Sequence, residues 1–513
     1  MLEPTLRPFG APHRESVGFS DETTGGPDGV QPALAPDGPI EGAEPGSGAD
    51  TVRLSVLLFG LAALAFSIVV PTWIVRVTPG PHSSAWPGAL AIVVLVGLRY
   101  AWLVGSGRPR LVEMIFWLFT YVFMGLAPLV QLRTGVDPGT TPYLSRQLAG
   151  TALLVVGVGC AAFLVAATLA GRSSSRRASD RPAGSPAAVQ LLSLGSLLVT
   201  AYFLVHIKGA LFQSRDALAA AALAAWPNAT TAALIAAGGT MPLLVAFVAS
   251  TLLRAQGQLR DRASTVLYAV VTVTLLATVN PISSARYLFG TVFLAVLASI
   301  GMYRTATRFR VVAVAAVAAL VLVFPYADAF RHSSSATIND TGGVVGALQN
   351  GDYDAFGQID NTVLYTTRYG ITDGRQALGV AFFWVPRALW ADKPVDTGVL
   401  LAEFRNYTFK NLSAPLWAEL FINGGWPLLV IGMGVFGWFA RRSDNTTTRL
   451  LKRQRAPSLL GCILPFYGII VLRGSLLQAT ANLAAILVAA AFVAWFAAGK
   501  TTDDTPVIAA AHT

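Results

Sequence analysis

Long runs of almost uncharged apolar residues recur along the chain and constrain its fold more than any other feature. Each run holds roughly 18 to 25 residues, enough for an α-helix to cross a bilayer core of about 30 Å. A membrane-spanning strand would instead alternate apolar and polar residues. The runs predict an all-α polytopic membrane protein with about twelve transmembrane helices, at residues 54–75, 86–105, 111–131, 147–170, 188–207, 229–253, 264–282, 287–303, 311–327, 425–440, 457–473 and 475–497.

Composition supports this class and argues against a soluble one. Of the 513 residues, 54% are hydrophobic and 12% are charged, whereas soluble domains are about 25% charged. A net charge of +10 would also suit a nucleic-acid partner. The basic residues, however, lie in short connectors between apolar runs, which is a topology signal, so we predict no nucleic-acid partner. Cys160 and Cys462 both lie inside apolar runs, and we infer neither a disulfide nor a metal site from them.

The two ends of the chain differ from the rest in composition. Residues 1–50 hold eight prolines, many glycines and little aliphatic clustering. Such a segment buries too little apolar surface to offset its ordering entropy. We therefore predict a disordered tail at 1–50 and another at 499–513. The first is not expected to be a signal peptide, because it lacks a basic start followed by an apolar core.

The distribution of basic residues predicts which connectors are cytoplasmic. Alternate short connectors carry eighteen Lys and Arg in one set and seven in the other, and cytoplasmic loops carry the excess. Both termini are then cytoplasmic, in a plasma membrane protein. The predicted bundle comprises residues 51–327, with about nine spans, and 425–498, with about three. Residues 328–424 form a large extracytoplasmic loop, called the insert below.

The insert is polar, aromatic and charged with both signs. Backbone at membrane depth must be hydrogen-bonded within the protein, so we expect the insert not to face lipid. We predict short helices that cover the bundle mouth like a lid. Expected breaks between them lie at Asp352-Tyr353-Asp354, Pro386, Pro394 and Gly424-Gly425.

Several cationic residues are predicted to gather at the extracytoplasmic surface. Arg286 and Arg473 lie in connectors that are otherwise poor in basic residues, and Arg331, Arg387 and Lys393 belong to the insert. Each alone could be an interfacial residue that extends toward lipid headgroups. Together they suit an anion with several oxygens, because the planar guanidinium matches phosphate. The anion expected at that depth is the diphosphate of a polyprenyl-linked glycan.

Other insert residues allow more than one interpretation. His332 and Glu419 are candidates for a general base, in that order. Trp384, Trp390, Trp417 and Trp426 predict either a glycan-stacking surface or an aromatic belt at the membrane interface, with the belt favoured. Asp352 and Asp354 form an Asp-x-Asp pattern, which favours a turn or helix cap over a metal site on this side of the membrane. Asp354 is also a candidate glycan-binding residue.

Three segments resemble the O-antigen and oligosaccharide repeat-unit polymerases. Residues 280–286 (Asn-Pro-Ile-Ser-Ser-Ala-Arg) resemble that family's entry to a late span. Residues 383–394 (Phe-Trp-Val-Pro-Arg-Ala-Leu-Trp-Ala-Asp-Lys-Pro) resemble its extracytoplasmic loop. Residues 418–426 (Ala-Glu-Leu-Phe-Ile-Asn-Gly-Gly-Trp) resemble its re-entry into the membrane. The resemblance covers about residues 280–440 by motif and the remainder by span number only.

The resemblance implies a C-type membrane glycosyltransferase fold, related to the O-antigen ligases. Such enzymes use a polyprenyl-diphosphate-linked oligosaccharide as donor and a second one as acceptor, without metal, nucleotide sugar or other cofactor. It further implies a lipid-bilayer setting and a possible chain-length regulator or flippase as partner. Carried onto this sequence, it gives Arg286, Arg331, Arg387 and Lys393 the donor diphosphate and leaves His332 or Glu419 as the base.

Three alternatives differ in chemistry. A polyprenyl-phosphate-monosaccharide transferase carries an acidic pair in its first outer loop, and residues 76–86 here contain no Asp or Glu. A transporter or lipid-linked glycan flippase needs polar groups along its path, whereas the runs are nearly uncharged apart from Arg99 and Glu113. An O-antigen-ligase-like enzyme is the nearest rival, since only the acceptor changes.

Overall fold

The computed structural model describes residues 47–172, 184–323, 343–454 and 456–498, and all regular structure in these ranges is helical. By their contacts, the described residues from Val52 onward form one compact unit. Most of the predicted tail at 1–50, and all of that at 499–513, lie outside the described residues. The helices before the insert are α1 Ser47–Leu64, α2 Val70–Val77, α3 Trp86–Ser106, α4 Leu111–Phe119, α5 Ala127–Thr134, α6 Ala149–Arg172, α7 Pro186–Ile207, α8 Arg215–Ala225, α9 Ala229–Ala255, α10 Arg262–Thr278, α11 Arg286–Ser299 and α12 Ala306–Ala318.

The described part of the insert, from residue 343, folds into short helices, and three further helices complete the chain, the first of which begins within the insert. Pro386 and Pro394 lie between helices, as expected, whereas the break expected at 352–354 contains a short 3-10 helix, Gly351–Tyr353, that separates two α-helices. Short π-helical stretches join α1 to α2, α4 to α5 and extend α12, at Ala65–Val69, Thr120–Leu126 and Ala319–Val323. The remaining helices are α13 Gly343–Ala347, α14 Ala355–Tyr369, α15 Arg375–Ala381, α16 Thr397–Phe404, α17 Leu416–Gln454, α18 Leu459–Arg473 and α19 Leu476–Ala498.

Local sequence explains where several of these helices begin. The side chains of Ser185, Asp261 and Ser458 each accept a hydrogen bond from a backbone N–H in the first turn of α7, α10 and α18. Such caps satisfy N–H groups that have no partner within the helix. At the other end, Gly107 and Gly135 adopt positive φ angles of 59° and 75° after α3 and α5, a conformation that glycine adopts without steric cost.

Within the described residues, eight helices are long and apolar enough to cross a membrane, judged by length and composition. They confirm a multi-helix membrane protein. Helices α10, α11 and α18 coincide with three further predicted spans but are shorter, at 17, 14 and 15 residues. The ninth predicted span coincides with α12 and continues beyond residue 323, outside the described range. The count of twelve therefore stays a prediction.

The continuous helix Leu111–Thr134, formed by α4, the π-helical stretch and α5, lies at the centre of the bundle. The most apolar 18-residue stretch of this helix is fully buried. Arg133, near its C-terminal end, donates to Thr78 Oγ1 at 2.7 Å and Val75 O at 2.8 Å. Surrounding helices instead expose large apolar side chains, which is the surface that lipid covers in such a protein.

Trp417 corrects the prediction that four tryptophans share one surface. Its side chain is fully buried, where Nε1 donates to Val156 O at 3.2 Å. A side chain on Gly159 would meet the indole ring of Trp417 at 2.3 Å. The absence of a side chain there makes room for the ring, and Trp417 belongs to the core between α6 and α17, with no part in an interfacial belt.

Candidate functional site

Arg286 and Arg473 meet at one end of two packed helices, although they are 187 positions apart in sequence. Arg286 is the first residue of α11, Arg473 is the last of α18, and the two helices pack together. Both guanidinium groups reach Asp352 of the insert. Arg286 Nη1 is paired with Asp352 Oδ2, and Arg473 Nη2 lies 2.8 Å from Asp352 O and 3.8 Å from Asp352 Oδ1.

Both arginines remain partly accessible while they hold Asp352. The side chains of Arg286 and Arg473 are 22% and 29% exposed. Asp352 is therefore an internal anion on a pair of cations that solvent still reaches. Guanidinium groups in this setting form charge-assisted bonds with carboxylate or phosphate. Of the five cations predicted to gather at this surface, the structure brings Arg286 and Arg473 together.

Asp354 is the buried member of the same group. Its Oδ1 accepts a 2.8 Å hydrogen bond from Ser413 Oγ and lies 3.6 Å from Arg473 Nη2. Burial raises the pKa of Asp354 above its ordinary value, while Arg473 and Ser413 oppose the rise. Asp354 occupies the N-cap position of α14 without a side-chain capping bond. Of the predicted turn or helix-cap role, Asp354 thus lies in a turn before α14 but its side chain makes no cap. The side chain instead contacts Arg473 and Ser413.

Glu419 lies at the junction of three helices and is buried. Its Oε2 accepts from Thr397 Oγ1 at 2.8 Å, and its Oε1 accepts from Ser475 Oγ and the Leu476 N–H, each at 2.9 Å. Ser475 lies two residues after Arg473, in the turn between α18 and α19, and Leu476 is the first residue of α19. The carboxylate therefore fixes the turn that carries Arg473, which is the geometry of a positioning residue.

Arg387 and Lys393 form a separate group with different partners. Arg387 donates to Lys393 O at 2.6 Å and to Pro394 O at 3.3 Å. Lys393 Nζ donates to Phe383 O at 2.7 Å and to Val385 O at 2.9 Å. These cations hold together the non-helical backbone around them, so the Pro-Arg and Lys-Pro pattern in the sequence specifies a local fold.

The other predicted site residues are distributed as follows. Trp384 is 59% exposed, and Trp390 is half-buried with its ring edge-to-face against Phe382 at 6.5 Å. Arg331 and His332 lie outside the described residues, so their predicted roles in diphosphate binding and base catalysis stay predictions.

A small cavity beside α14 was not expected from the sequence. It has a volume of about 10 Å³, and Gln131, Asp137, Arg146 and Asp360 are among its lining residues. Gln131 Oε1 and Asp360 Oδ1 are buried and have no hydrogen-bond partner within the described part of the chain. The space is about that of one water molecule. Asp360 lies in the polar run Gln358-Ile359-Asp360-Asn361-Thr362, and an Asp among such residues gives no specific signal for a buried site.

A second charged group lies near the first residues of the central helix, Leu111–Thr134. Glu113 is buried, and its carboxylate lies 2.5 Å from Arg99, 2.8 Å from Arg441 and 3.8 Å from Arg110. Asp444 of α17 accepts hydrogen bonds from the Val112 and Glu113 N–H groups at 2.9 and 3.0 Å. These contacts cap the start of α4 and join it to α3 and α17. We interpret this group as structural, because every charged side chain in it has a partner within the protein.

The arrangement as a whole concentrates chemistry at the insert end of the bundle. There, two partly accessible guanidinium groups from different helices contact the carboxylate of Asp352. Asp354 contacts Arg473, and Glu419 holds the turn that follows Arg473. Comparison of the chain with protein-family models, with curated proteins and with solved structures finds no match.

Proposed function

We propose that this chain is a membrane glycosyltransferase that polymerises polyprenyl-diphosphate-linked oligosaccharide repeat units on the extracytoplasmic face of the plasma membrane. The convergence of Arg286 and Arg473 on Asp352 is the observation that carries the proposal. A pair of partly exposed arginines at the end of apolar helices suits a ligand that is both anionic and lipid-linked. The motif resemblance at residues 280–286, 383–394 and 418–426 points to the same class.

In the proposed reaction the donor diphosphate replaces Asp352 on the two arginines. The acceptor hydroxyl oxygen attacks the anomeric carbon of the donor, and the bond between that carbon and the diphosphate oxygen breaks. The electron pair leaves with the diphosphate, whose growing charge Arg286 and Arg473 stabilise. The hydroxyl proton passes to a base. Because Glu419 already accepts three hydrogen bonds in the protein, the base of this proposal is His332.

The proposal includes a topology of twelve spans with both termini in the cytoplasm and the insert outside. Its support is the excess of basic residues in alternate connectors. The insert end and the Glu113 group lie at opposite ends of one membrane-length helix. Under this topology the arginine pair faces the compartment in which the proposed polymerisation takes place. The donor and acceptor carriers both reach the arginine pair from the bilayer.

Reconstitution of the purified protein with one lipid-linked repeat unit tests the function. A ladder of longer products supports a polymerase. Product formed only after a different acceptor is added means a ligase, and movement of the carrier across the bilayer without a new linkage means a flippase. Either of these last results overturns the proposal.

Replacement of the two arginines tests the site within the same assay. Arg286→Ala and Arg473→Ala should each lower the rate of ladder formation by about 100-fold or more, the typical cost of losing a group that stabilises transition-state charge. Arg→Lys at either position should also be poor, because the bidentate contact is lost. The matched control is Arg368→Ala, an exposed insert arginine near the ring of Tyr369, which should retain activity. Full-length products from both alanine variants would refute the proposal that Arg286 and Arg473 bind the donor diphosphate.

A further inference from the structure

The segment Arg375–Pro394 of the insert presents an apolar outer surface. Leu389 is 81% exposed, and Leu378, Phe382 and Trp384 are also largely exposed. These four large side chains lie within twelve positions of one another in a loop that is otherwise expected to face water. A clustered apolar surface of this kind marks an interaction site with a protein or a membrane.

The cations of the same segment donate hydrogen bonds to its own backbone. Residues 382–396 are not helical, so their carbonyl groups have no regular hydrogen-bond ladder. Lys393 and Arg387 satisfy four of these carbonyls through the contacts described above, and Arg375 Nη2 donates to Asp392 O at 3.1 Å. A loop in water needs no such arrangement, because water satisfies its carbonyls. Irregular backbone at membrane depth does need it.

The position of the segment places it beside the ends of two membrane helices. The N–H groups of Thr372 and Gly374 donate to Ile422 O at 2.8 Å and Asn423 O at 2.9 Å. These carbonyls come immediately before Gly424 and Gly425, whose non-helical backbone bends α17. Helix α15 packs against both α17 and α19, which are candidate spans. Just past the bend, Trp426, Val430 and Ile431 are exposed on α17. The apolar surface of the segment thus lies next to a helix face of the kind that lipid covers.

We propose that Arg375–Pro394 is a membrane-inserted loop whose outer side chains, Leu378, Phe382, Trp384 and Leu389, lie at the boundary between lipid headgroups and acyl chains. Aromatic and aliphatic side chains with flanking cations are the composition that binds this boundary. The occupant of the surface is the lipid bilayer. This inference is independent of the proposed reaction and reverses the expectation that the whole insert avoids lipid.

A nitroxide spin label on Leu389→Cys tests the depth of the loop in liposomes. The chain first carries Cys160→Ala and Cys462→Ala, so that the new thiol is the only one labelled. Because Leu389 is the most exposed of the four side chains, its replacement removes little packing. Lys410→Cys is the control, since Lys410 lies on the same insert, pairs with Glu403 and is 58% exposed.

The readout is the collision rate of each label with oxygen, which concentrates in lipid, and with a water-soluble nickel chelate. The Leu389 label should favour oxygen over nickel by several-fold relative to the Lys410 label. A Leu389 label that meets nickel as often as the control overturns the proposal. So does a label shielded from both reagents, which would mean that protein covers the surface.

Discussion

One carboxylate oxygen of Asp360 accepts a hydrogen bond from the Ser145 N–H at 2.8 Å. The other oxygen lies at the cavity beside α14 and has no partner among the described residues. Burial raises the pKa of Asp360 to about 7 from an ordinary value of 3.8, and the Ser145 N–H opposes the rise. A buried carboxyl with one unsatisfied oxygen is held more easily in its neutral form. At the scale of this residue, the folded protein therefore binds a proton that the unfolded chain releases.

Asp360→Asn should remove a pH dependence of stability. Between about pH 4 and about pH 7 the folded state holds the Asp360 proton and the unfolded state does not, so stability falls as pH rises through this window. The variant, which is neutral throughout, should unfold at a higher temperature than the wild type near about pH 8 and at a similar temperature near about pH 4. The thermal midpoint in detergent, measured across this range, gives the comparison.

Asp373→Asn is the control for that experiment, because Asp373 lies on the same insert and is exposed. It should leave the pH dependence as it is in the wild type. Parallel pH curves for the wild type and Asp360→Asn would show that Asp360 is ionised in the folded protein at neutral pH.

Single residues also mark what the sequence does and does not reveal about the site. Arg286 and Arg473 were predicted together because each breaks the pattern of basic connectors, and that pattern is a property of the sequence. The contacts of Arg387 and Lys393 with backbone carbonyls were not predicted. A sequence motif gives the residue types and their spacing, but it does not give the direction of their hydrogen-bond donors. The burial of Asp354 depends on Ser413 and Arg473, which only the tertiary fold brings near.

At the scale of elements, the bend in α17 lies where the insert contacts the bundle. Gly424 and Gly425 depart from helical geometry, and Gly425 has φ 61° and ψ −148°, a conformation essentially restricted to glycine. The Ile422 and Asn423 carbonyls just before the bend accept the bonds that hold residues 372–374. The break was predicted from the Gly-Gly pair. The helical turns before it were not, because their polar residues are buried by partners from distant segments.

Gly425→Ala should destabilise the protein by about 1–3 kcal/mol, the usual cost of forcing a residue with a Cβ into such a conformation. It should also loosen the contact between the insert and α17. The matched control is Gly434→Ala on the same helix, where an added Cβ would meet only Ala166 Cβ at an ordinary 3.8 Å. Thermal unfolding in detergent measures both, and an equal effect of the two substitutions would show that the bend is not under backbone constraint.

At the scale of the whole molecule, the all-helical class was predictable because an apolar run of membrane length leaves the backbone few alternatives. The number of spans was less so. Helices α10, α11 and α18 are shorter than their apolar runs because the ends of those runs form caps and turns, as at residues 279–282 after α10. Hydropathy counts these residues as part of the span, whereas in the structure they belong to the connector that leads to Arg286 at the start of α11.

Sidedness is the global property that the sequence predicts and labelling tests. A membrane-impermeant maleimide applied to intact cells should modify Lys410→Cys in the insert and not Gln258→Cys in the α9–α10 connector, in a chain that otherwise lacks cysteine. Both positions are exposed, so accessibility within the protein is matched. Permeabilised cells should label at both positions. The reverse pattern in intact cells would invert the topology and place the arginine pair in the cytoplasm.

The central helix has a further consequence that concerns the lipid. Glu113 and Arg133 lie twenty positions apart on it, with no charged residue between them. An α-helical rise of 1.5 Å per residue would separate them by at most about 30 Å, because the π-helical stretch Thr120–Leu126 rises less per residue. Each end is fixed by ionic or hydrogen-bonded partners on other helices. This distance is close to the hydrocarbon thickness of an average bilayer, about 30 Å, so the two ends of the helix would lie near the two surfaces of such a bilayer. In bilayers with much shorter or longer acyl chains, the lipid must deform around this protein, because the helix that sets the distance is buried and cannot tilt alone.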